Sequence, residues 1–476
     1  MAGIGFQLKK LFQGSGFFWN LRAYSYSAIV TIGPMLLTIL LILVAKELLI
    51  AVETPYVEVE RFMAATEYAF IFSQIITGGF TFVISRYVAD QTFLEKEENV
   101  LSSMYGLISV CVMLGGVSAI LFYARSPLPL SFKVVTYVFF IELIIIWLQS
   151  MYVSALKDYI KIVKSFLIGV GVAAVAIWLS VQVFGFKNAT ALFISLDLGF
   201  LVIILMFTQY IKQFFNINNH KYFKFLIYLE KYPFLFFGGL LYVFGLYGHN
   251  IVVWQGSLKI SIDDTFIIAP YYDVPVFYAY LTFLPAMILF MVTVETTFYD
   301  VYKKYYHRIL HSFSLQDILN AKREMFKIVS LELTFIAEVQ LFVIFSSIAF
   351  GIKLLTWLGM TLEQIHIFTI LVLGSLFFTL MFTIVIILLY FDDRNGAFFT
   401  TLLFAICSIT ITALTPNVEY LGLSVFLASF ISVCFALYKL INYLNNIDYY
   451  TFCSQPIVYQ EKITRTELLL RKLGHY

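Results

Sequence analysis

The chain has 476 residues, of which 61% are hydrophobic and only 13% charged. A soluble chain of this length carries about a quarter charged residues, so the composition excludes a soluble enzyme and leaves no room for a separate catalytic or nucleotide-binding domain. The 31 Lys and Arg nearly balance the 29 Asp and Glu, and their placement reads as orientation in a membrane, with no nucleic-acid partner expected.

Residues 1–23 read as an amphipathic arm, with Ile4, Leu8, Leu11 and Phe12 on one face beside Lys9 and Lys10. The arm lacks the charged-then-apolar layout and cleavage site of a removable signal peptide. Twelve apolar stretches follow, over 28–50, 62–85, 100–123, 133–155, 165–186, 189–211, 232–254, 275–297, 328–350, 365–390, 397–414 and 420–443. Each is roughly 20 to 25 residues long, the length a helix needs to cross about 30 Å of hydrocarbon. The spacing predicts an all-α polytopic membrane protein. Residues 24–211 form a first six-helix bundle, 212–231 a cytoplasmic linker, 232–443 a second six-helix bundle and 444–476 a cytoplasmic tail. With the N-terminus inside, the outer loops keep only Lys46, Arg61, Arg125, Lys133, Lys187, Lys259 and Lys353. Short loops rich in Lys and Arg stay on the cytoplasmic side, so both termini are expected there, in the inner membrane of a bacterium.

Two halves of equal orientation allow a parallel internal repeat. Each half has a very short third outer loop, at Lys187-Asn188 and at Thr415 to Glu419. The segment Tyr210 to Asn219 after span six is echoed by Tyr438 to Ile447 after span twelve. Cys111, Cys407, Cys434 and Cys453 lack metal-ligand or disulfide spacing and read as packing residues. The scattered His include a pair four apart, His307 and His311, on an inner amphipathic stretch. No phosphate-cradling loop, zinc-helix pair or nucleophile elbow occurs. Catalytic residues, a metal and a cofactor are therefore not expected, and a transporter is favoured over an enzyme.

Ionisable groups inside spans are costly and usually face a pathway or a partner. Glu142 lies in span four, Asp197 in span six, and Glu338 with Gln340 in span nine. One reading is a carboxyl that hydrogen-bonds two helices together. The other is a polar path for a hydroxyl-rich cargo. Arg22 and Tyr24 open span one, Gln74 and Tyr242 add polar groups in spans two and seven, and Tyr272 with Asp273 forms a cluster in the outer loop before span eight. Arg86 and Asp90 suit a helix-end ion pair, Glu295 and Glu332 face each other across the inner hairpin, and His249 reads as an interfacial anchor. The bases of 298–327 read as orientation and lipid contact, or as a docking surface for a cytosolic partner.

Several stretches resemble the inner-membrane transporter of the Pel exopolysaccharide system, the PelG family. That family lies within the superfamily of polysaccharide, lipid-linked oligosaccharide and multidrug flippases (MOP). The resemblance rests on MAGIGFQLKKLF, RAYSYSAIVTIGPMLL, TEYAFIFSQIITGGFTFVISRYVAD with its Arg86, Tyr87 and Asp90, and LLYFDDRNGAFF. The longest stretch is YYDVPVFYAYLTFLPAMILFMVTVETTFYDVYKKYY, residues 271–306. The stretches recur in order along the whole chain. The end of span seven departs from the family, with Tyr247-Gly248-His249-Asn250 and Trp254 where a more charged pattern is expected. The resemblance implies two six-helix bundles around a V-shaped cavity, and export of an N-acetylgalactosamine-rich, partially deacetylated polymer for biofilm matrix. It also implies a cytosolic glycosyltransferase partner and regulatory membrane subunits responsive to cyclic di-GMP. On that reading Glu142, Asp197, Glu338, Gln340, Arg22, Tyr24, Gln74, Tyr242, Tyr272 and Asp273 belong to the path. Lys303, Lys304, Arg308, Lys322 and Arg323 dock the synthase. Two alternatives stand beside it: an ion-coupled exporter of small molecules or lipid-linked sugars, and a non-transporting anchor for the synthase.

Overall fold

The computed structural model describes residues 17–156, 158–293, 297–453 and 464–472. The apolar face expected at Ile4 to Phe12, and Glu295, lie outside those residues. Twelve helices are long and apolar enough to cross a membrane among the described residues. The chain folds into two compact units. One holds Gly33–Tyr247, Trp254–Ala269 and Lys462–Tyr476; the other holds Met1–Ile32, Gly248–Val253 and Pro270–Glu461. They are called here the N-terminal and C-terminal units.

In chain order the N-terminal unit takes most of α1 (Phe17–Ala51), then α2 (Tyr56–Phe93), α3 (Glu98–Tyr123), α4 (Leu130–Ala155), α5 (Ile160–Trp178) and α6 (Ala189–Phe214). The short helix α7 (Leu226–Lys231) and most of α8 (Pro233–Val253) complete its main run. Its core is aromatic. Phe139 packs on Phe193 and Phe200 with ring centroids 5.3 and 5.2 Å apart, and Phe62 lies 5.3 Å from Phe193. Lipid cannot drive apolar helices together, so close backbone approach and hydrogen bonds do more of that work in a membrane. Gly169 on α5 and Gly199 on α6 supply the approach: a Cβ added at Gly199 would lie 2.4 Å from the Gly169 carbonyl oxygen. The hydrogen bonds are partly buried rungs between helices. Trp147 Nε1 donates to Ser73 Oγ at 3.0 Å, and Gln149 Nε2 donates to Thr208 Oγ1 at 2.8 Å.

A two-stranded antiparallel hairpin, β1 (Ile260–Ile262) and β2 (Phe266–Ile268), folds onto this unit with Ile260 opposite Ile268. Its turn residues Asp263 and Asp264 have φ of 50° and 46°; short polar side chains tolerate this left-handed region best. Arg61 binds the Asp263 carboxylate through two nitrogens, at 2.6 and 3.1 Å, and also reaches Glu58. Tyr68 OH accepts from Ile267 N at 2.9 Å and donates to Ile267 O at 2.7 Å, while its ring stacks on Trp254 at 5.0 Å.

The C-terminal unit holds α9 (Pro270–Leu281), α10 (Leu284–Thr293), α11 (Tyr299–Leu310), α12 (Leu315–Trp357), α13 (Leu362–Tyr390), α14 (Arg394–Leu414), α15 (Leu423–Asn445) and α16 (Ile447–Phe452). Side-chain caps set three of these helix starts, satisfying backbone donors that have no helical partner. Ser314 accepts from Asp317 N, Thr361 forms a capping box with Gln364, and Asp393 accepts from Gly396 N. A last helix, α17 (Arg465–Lys472), belongs to the N-terminal unit. It is held at its N-terminus by Glu230, whose carboxylate accepts from Arg465 N at 3.0 Å and Thr466 N at 2.8 Å.

Candidate functional site

Two polar places stand out in the membrane-spanning part, one in each unit. In the C-terminal unit a cavity of about 720 Å³ is lined by Tyr24, Thr293, Thr297, Asp300, Glu332, Thr334, Phe335 and Glu338, with Val292 and Leu331. On α12, Glu332, Phe335 and Glu338 stand three residues apart, so they share one face of the helix. Glu332 hydrogen-bonds Thr297 and lies close enough to Tyr24 for its charge to act on the phenol. None of the described lining residues is Lys or Arg. The cavity therefore offers carboxylate acceptors, threonine hydroxyls and two aromatic rings, a set suited to hydroxyl-rich rings with apolar C–H faces.

In the N-terminal unit Glu142 on α4 and Asp197 on α6 come within Coulomb reach of each other. Glu142 is only 6% exposed. Its Oε2 and Asp197 Oδ1 are buried with no hydrogen-bond partner among the described residues. A separate cavity of about 290 Å³ in this unit is mostly apolar, between Tyr68, Phe72, Phe122, Tyr123 and Phe140.

Of the residues singled out in the sequence, Tyr24 and Glu338 thus meet at one cavity, and Glu142 meets Asp197. Gln74 accepts a hydrogen bond from Tyr247 OH at 3.1 Å, within the N-terminal unit; Tyr242 is half-buried in the same unit and Arg22 is exposed in the other. Tyr272 and Asp273 are buried rather than open to a path. Tyr272 OH meets His249 Nδ1 at 3.0 Å, Tyr280 OH meets His249 Nε2 at 2.8 Å, and Asp273 Oδ1 accepts from Asn250 Nδ2 at 2.7 Å. His249 is fully buried in this network, so the expected interfacial anchor is instead a polar tie between α8 and α9. Gln340 is also fully buried. It donates to Ser375 Oγ at 2.6 Å and to the Thr282 carbonyl at 3.3 Å.

The sequence list missed Asp300 and the three threonines, and placed Glu332 only at a rim. The spacing of Glu332, Phe335 and Glu338 is the signal that would have found that face. Among the bases of the inner hairpin, Lys304 pairs with Glu324 at 2.5 Å, Lys322 with Asp448, and Arg308 donates to the Asp317 carbonyl at 2.6 Å. Lys303 and Arg323 are exposed. Arg86 and Asp90 form the expected ion pair at 3.3 Å.

A family model described as "PelG: Putative exopolysaccharide Exporter (EPS-E)" matches residues 1–452. The chain belongs to the PelG family. No curated protein matches it. Among solved structures, a MOP superfamily transporter from Pyrococcus furiosus is similar with a TM-score of 0.63 at 10% identity, over 89% of this chain and 96% of that one. A mutant of the Vibrio cholerae MATE transporter VcmN is similar with a TM-score of 0.62 at 11% identity, over 92% of this chain and 97% of that one. At such identities the likeness carries the fold alone. This PelG family member is therefore a multi-pass membrane protein with the fold of the MOP transporters.

Proposed function

We propose that this PelG chain moves a Pel-like, N-acetylgalactosamine-rich exopolysaccharide across the bacterial cytoplasmic membrane for biofilm matrix. It receives the polymer from a cytosolic glycosyltransferase, under membrane subunits that respond to cyclic di-GMP. The observation that carries the reading is the cavity of the C-terminal unit, where Tyr24, Glu332, Glu338 and the threonines gather with no Lys or Arg among the described lining residues. Carboxylates accept from sugar hydroxyls, and the rings of Tyr24 and Phe335 cover the C–H faces of the sugar. Weak, repeated contacts of this kind hold a polymer without arresting it. On this reading both termini are cytoplasmic, Glu142, Asp197, Arg22, Gln74 and Tyr242 join the path, and Gln340, Tyr272 and Asp273 brace the helices that bound it. Lys303, Lys304, Arg308, Lys322 and Arg323 belong to the synthase-facing side.

The test uses sealed inverted vesicles holding the chain and its glycosyltransferase, with labelled nucleotide sugar outside. Polymer protected from added glycosidase only when this chain is present supports export. Polymer made but left exposed refutes it and leaves an anchor for the synthase.

One observation favours a second reading, ion-coupled export of small molecules or lipid-linked sugars. Glu142 is buried and Asp197 half-buried, the charge of Asp197 acts on Glu142, and each has an enclosed oxygen with no hydrogen-bond partner among the described residues. Like charges in such a site repel, and a proton or a cation taken up between them relieves the repulsion. Dissipating the ion gradients in the same vesicles separates the readings, because only gradient-driven export stops.

A further inference from the structure

The α11–α12 hairpin extends well past the membrane and ends in an apolar tip. α12 has 43 residues, which makes it about 65 Å long, roughly twice the hydrocarbon thickness. Its first stretch, Leu315 to Lys327, lies before the apolar run and adds about 20 Å beyond it. α11 runs back beside this stretch, tied by Lys304 to Glu324 and by Arg308 to the Asp317 carbonyl. At the turn, Leu310, Phe313 and Leu315 are 78%, 47% and 73% exposed. Exposed large apolar side chains gathered in one turn mark an interaction surface.

The flanks of the tip are basic. Lys303, Arg323 and Lys327 are exposed and have no carboxylate partner among the described residues. His307 and His311 stack beside the tip with ring centroids 4.0 Å apart, and the Phe313 ring lies 6.1 Å from His307. On α12, Arg323 and Lys327 are four apart and share a face; on α11, Lys303, His307 and His311 do the same. The hairpin's acids are engaged inside it: Glu324 with Lys304, and Asp317 with the Ser314 cap.

Three occupants fit an apolar, basic tip. A bilayer surface suits a hairpin lying flat on it, whereas a hairpin that continues the line of its span carries the turn about 20 Å beyond the hydrocarbon. A second copy would set basic flank against basic flank, since a two-fold contact pairs like patches. A protein with an apolar socket and an acidic rim matches both features.

We propose that the α11–α12 tip is a docking knob: Leu310, Phe313 and Leu315 enter an apolar socket of a soluble protein, and Lys303, Arg323 and Lys327 meet carboxylates on its rim. The proposal rests on the export reading, which supplies the glycosyltransferase as the occupant.

The experiment measures binding of the purified glycosyltransferase to the full chain in lipid nanodiscs, for the native protein, for Leu310→Ser with Leu315→Ser, and for Lys303→Glu with Arg323→Glu. A thermal melt first shows that all three are folded, which exposed substitutions allow. Loss of two apolar anchors weakens binding at least tenfold, and the charge pair removes most of the salt dependence. Equal affinity in all three proteins overturns the proposal, and so does an absence of saturable binding to the native chain. Flotation of the native chain, but not the Leu variant, with anionic vesicles also overturns it in favour of a lipid surface. The protected-polymer measurement keeps the two ideas apart. Variants that dock as the native chain does, with export intact, overturn the knob alone, whereas native docking without export overturns the export reading.

Discussion

At the residue scale, the cavity of the C-terminal unit sets the clearest expectations. Glu332→Gln with Glu338→Gln removes two acceptors that lie on one helix face, and no base among the lining residues compensates. Export in the vesicle assay is expected to fall at least tenfold while the amount of folded protein stays constant, since the loss of even one charged hydrogen bond of about 1.5–3 kcal/mol is a change of about 10- to 150-fold. Gln340→Ala acts differently. It strips Ser375 Oγ of its donor and the Thr282 carbonyl of a partner in a fully buried place, so stability is expected to fall by about 1–3 kcal/mol, read as an earlier thermal transition in detergent.

Glu338 stands out in the sequence because depth along a span can be counted, whereas Tyr24 reads there only as a rim residue opening span one. Thr297, Asp300 and Thr334 do not stand out, because which face of a helix looks into a cavity depends on its rotation against its neighbours. Tyr272 and Asp273 show the same limit from the other side. Their composition suits a sugar path, yet His249 and Asn250 on α8 close over them. His249 was read as an anchor because only its position at a span end was visible, and its two tyrosine partners lie 23 and 31 residues away in sequence.

At the element scale, α5 and α6 depend on two glycines meeting. Gly199→Leu forces the helices apart, with an expected loss of about 1–3 kcal/mol from overpacking, measured as a lower melting temperature and a lower folded yield. α17 carries a pH dependence. The Thr466 and Arg465 hydrogen bonds hold the Glu230 carboxyl below its ordinary range. A depressed carboxyl supports docking above its unfolded range and loses that support as pH falls through its folded value. Protection of the 464–472 backbone amides, taken as exchange relative to an unstructured chain at the same pH, is therefore expected to be high at neutral pH and to fall as the medium is acidified, and Glu230→Gln should blunt that response.

The spans themselves were readable because a membrane demands long unbroken apolar helices. The β1–β2 hairpin, between spans seven and eight, departs from the all-α expectation. Its signal was present but short: Ile260-Ser261-Ile262 alternates, and Asp263-Asp264 suits a turn. What fixes it is the distant Arg61 and Tyr68, which no local pattern reveals.

At the scale of the whole molecule, the orientation read from the bases is testable by labelling. In a cysteine-free background, Lys259→Cys is expected to react with an impermeant thiol reagent from the periplasmic side only, and Arg323→Cys only after the cytoplasmic face is opened. The opposite pattern, with Arg323→Cys reacting from the periplasmic side and Lys259→Cys only after opening, would reverse the topology. The apolar lengths that show twelve spans do not carry this sidedness, since either end of an apolar helix fits either face.

The length of α12 has a mechanical consequence. The rod is pinned in mid-course at Gln340, whose amide is tied to Ser375 on α13 and to the Thr282 carbonyl. Leu315 stands about 38 Å from that pin and Trp357 about 26 Å on its other side. The rod is braced elsewhere too, by Lys322 to Asp448 and by Lys304 to Glu324 across the hairpin. Its hairpin tip and the Glu332–Glu338 face belong to one unbroken helix, with no joint between them.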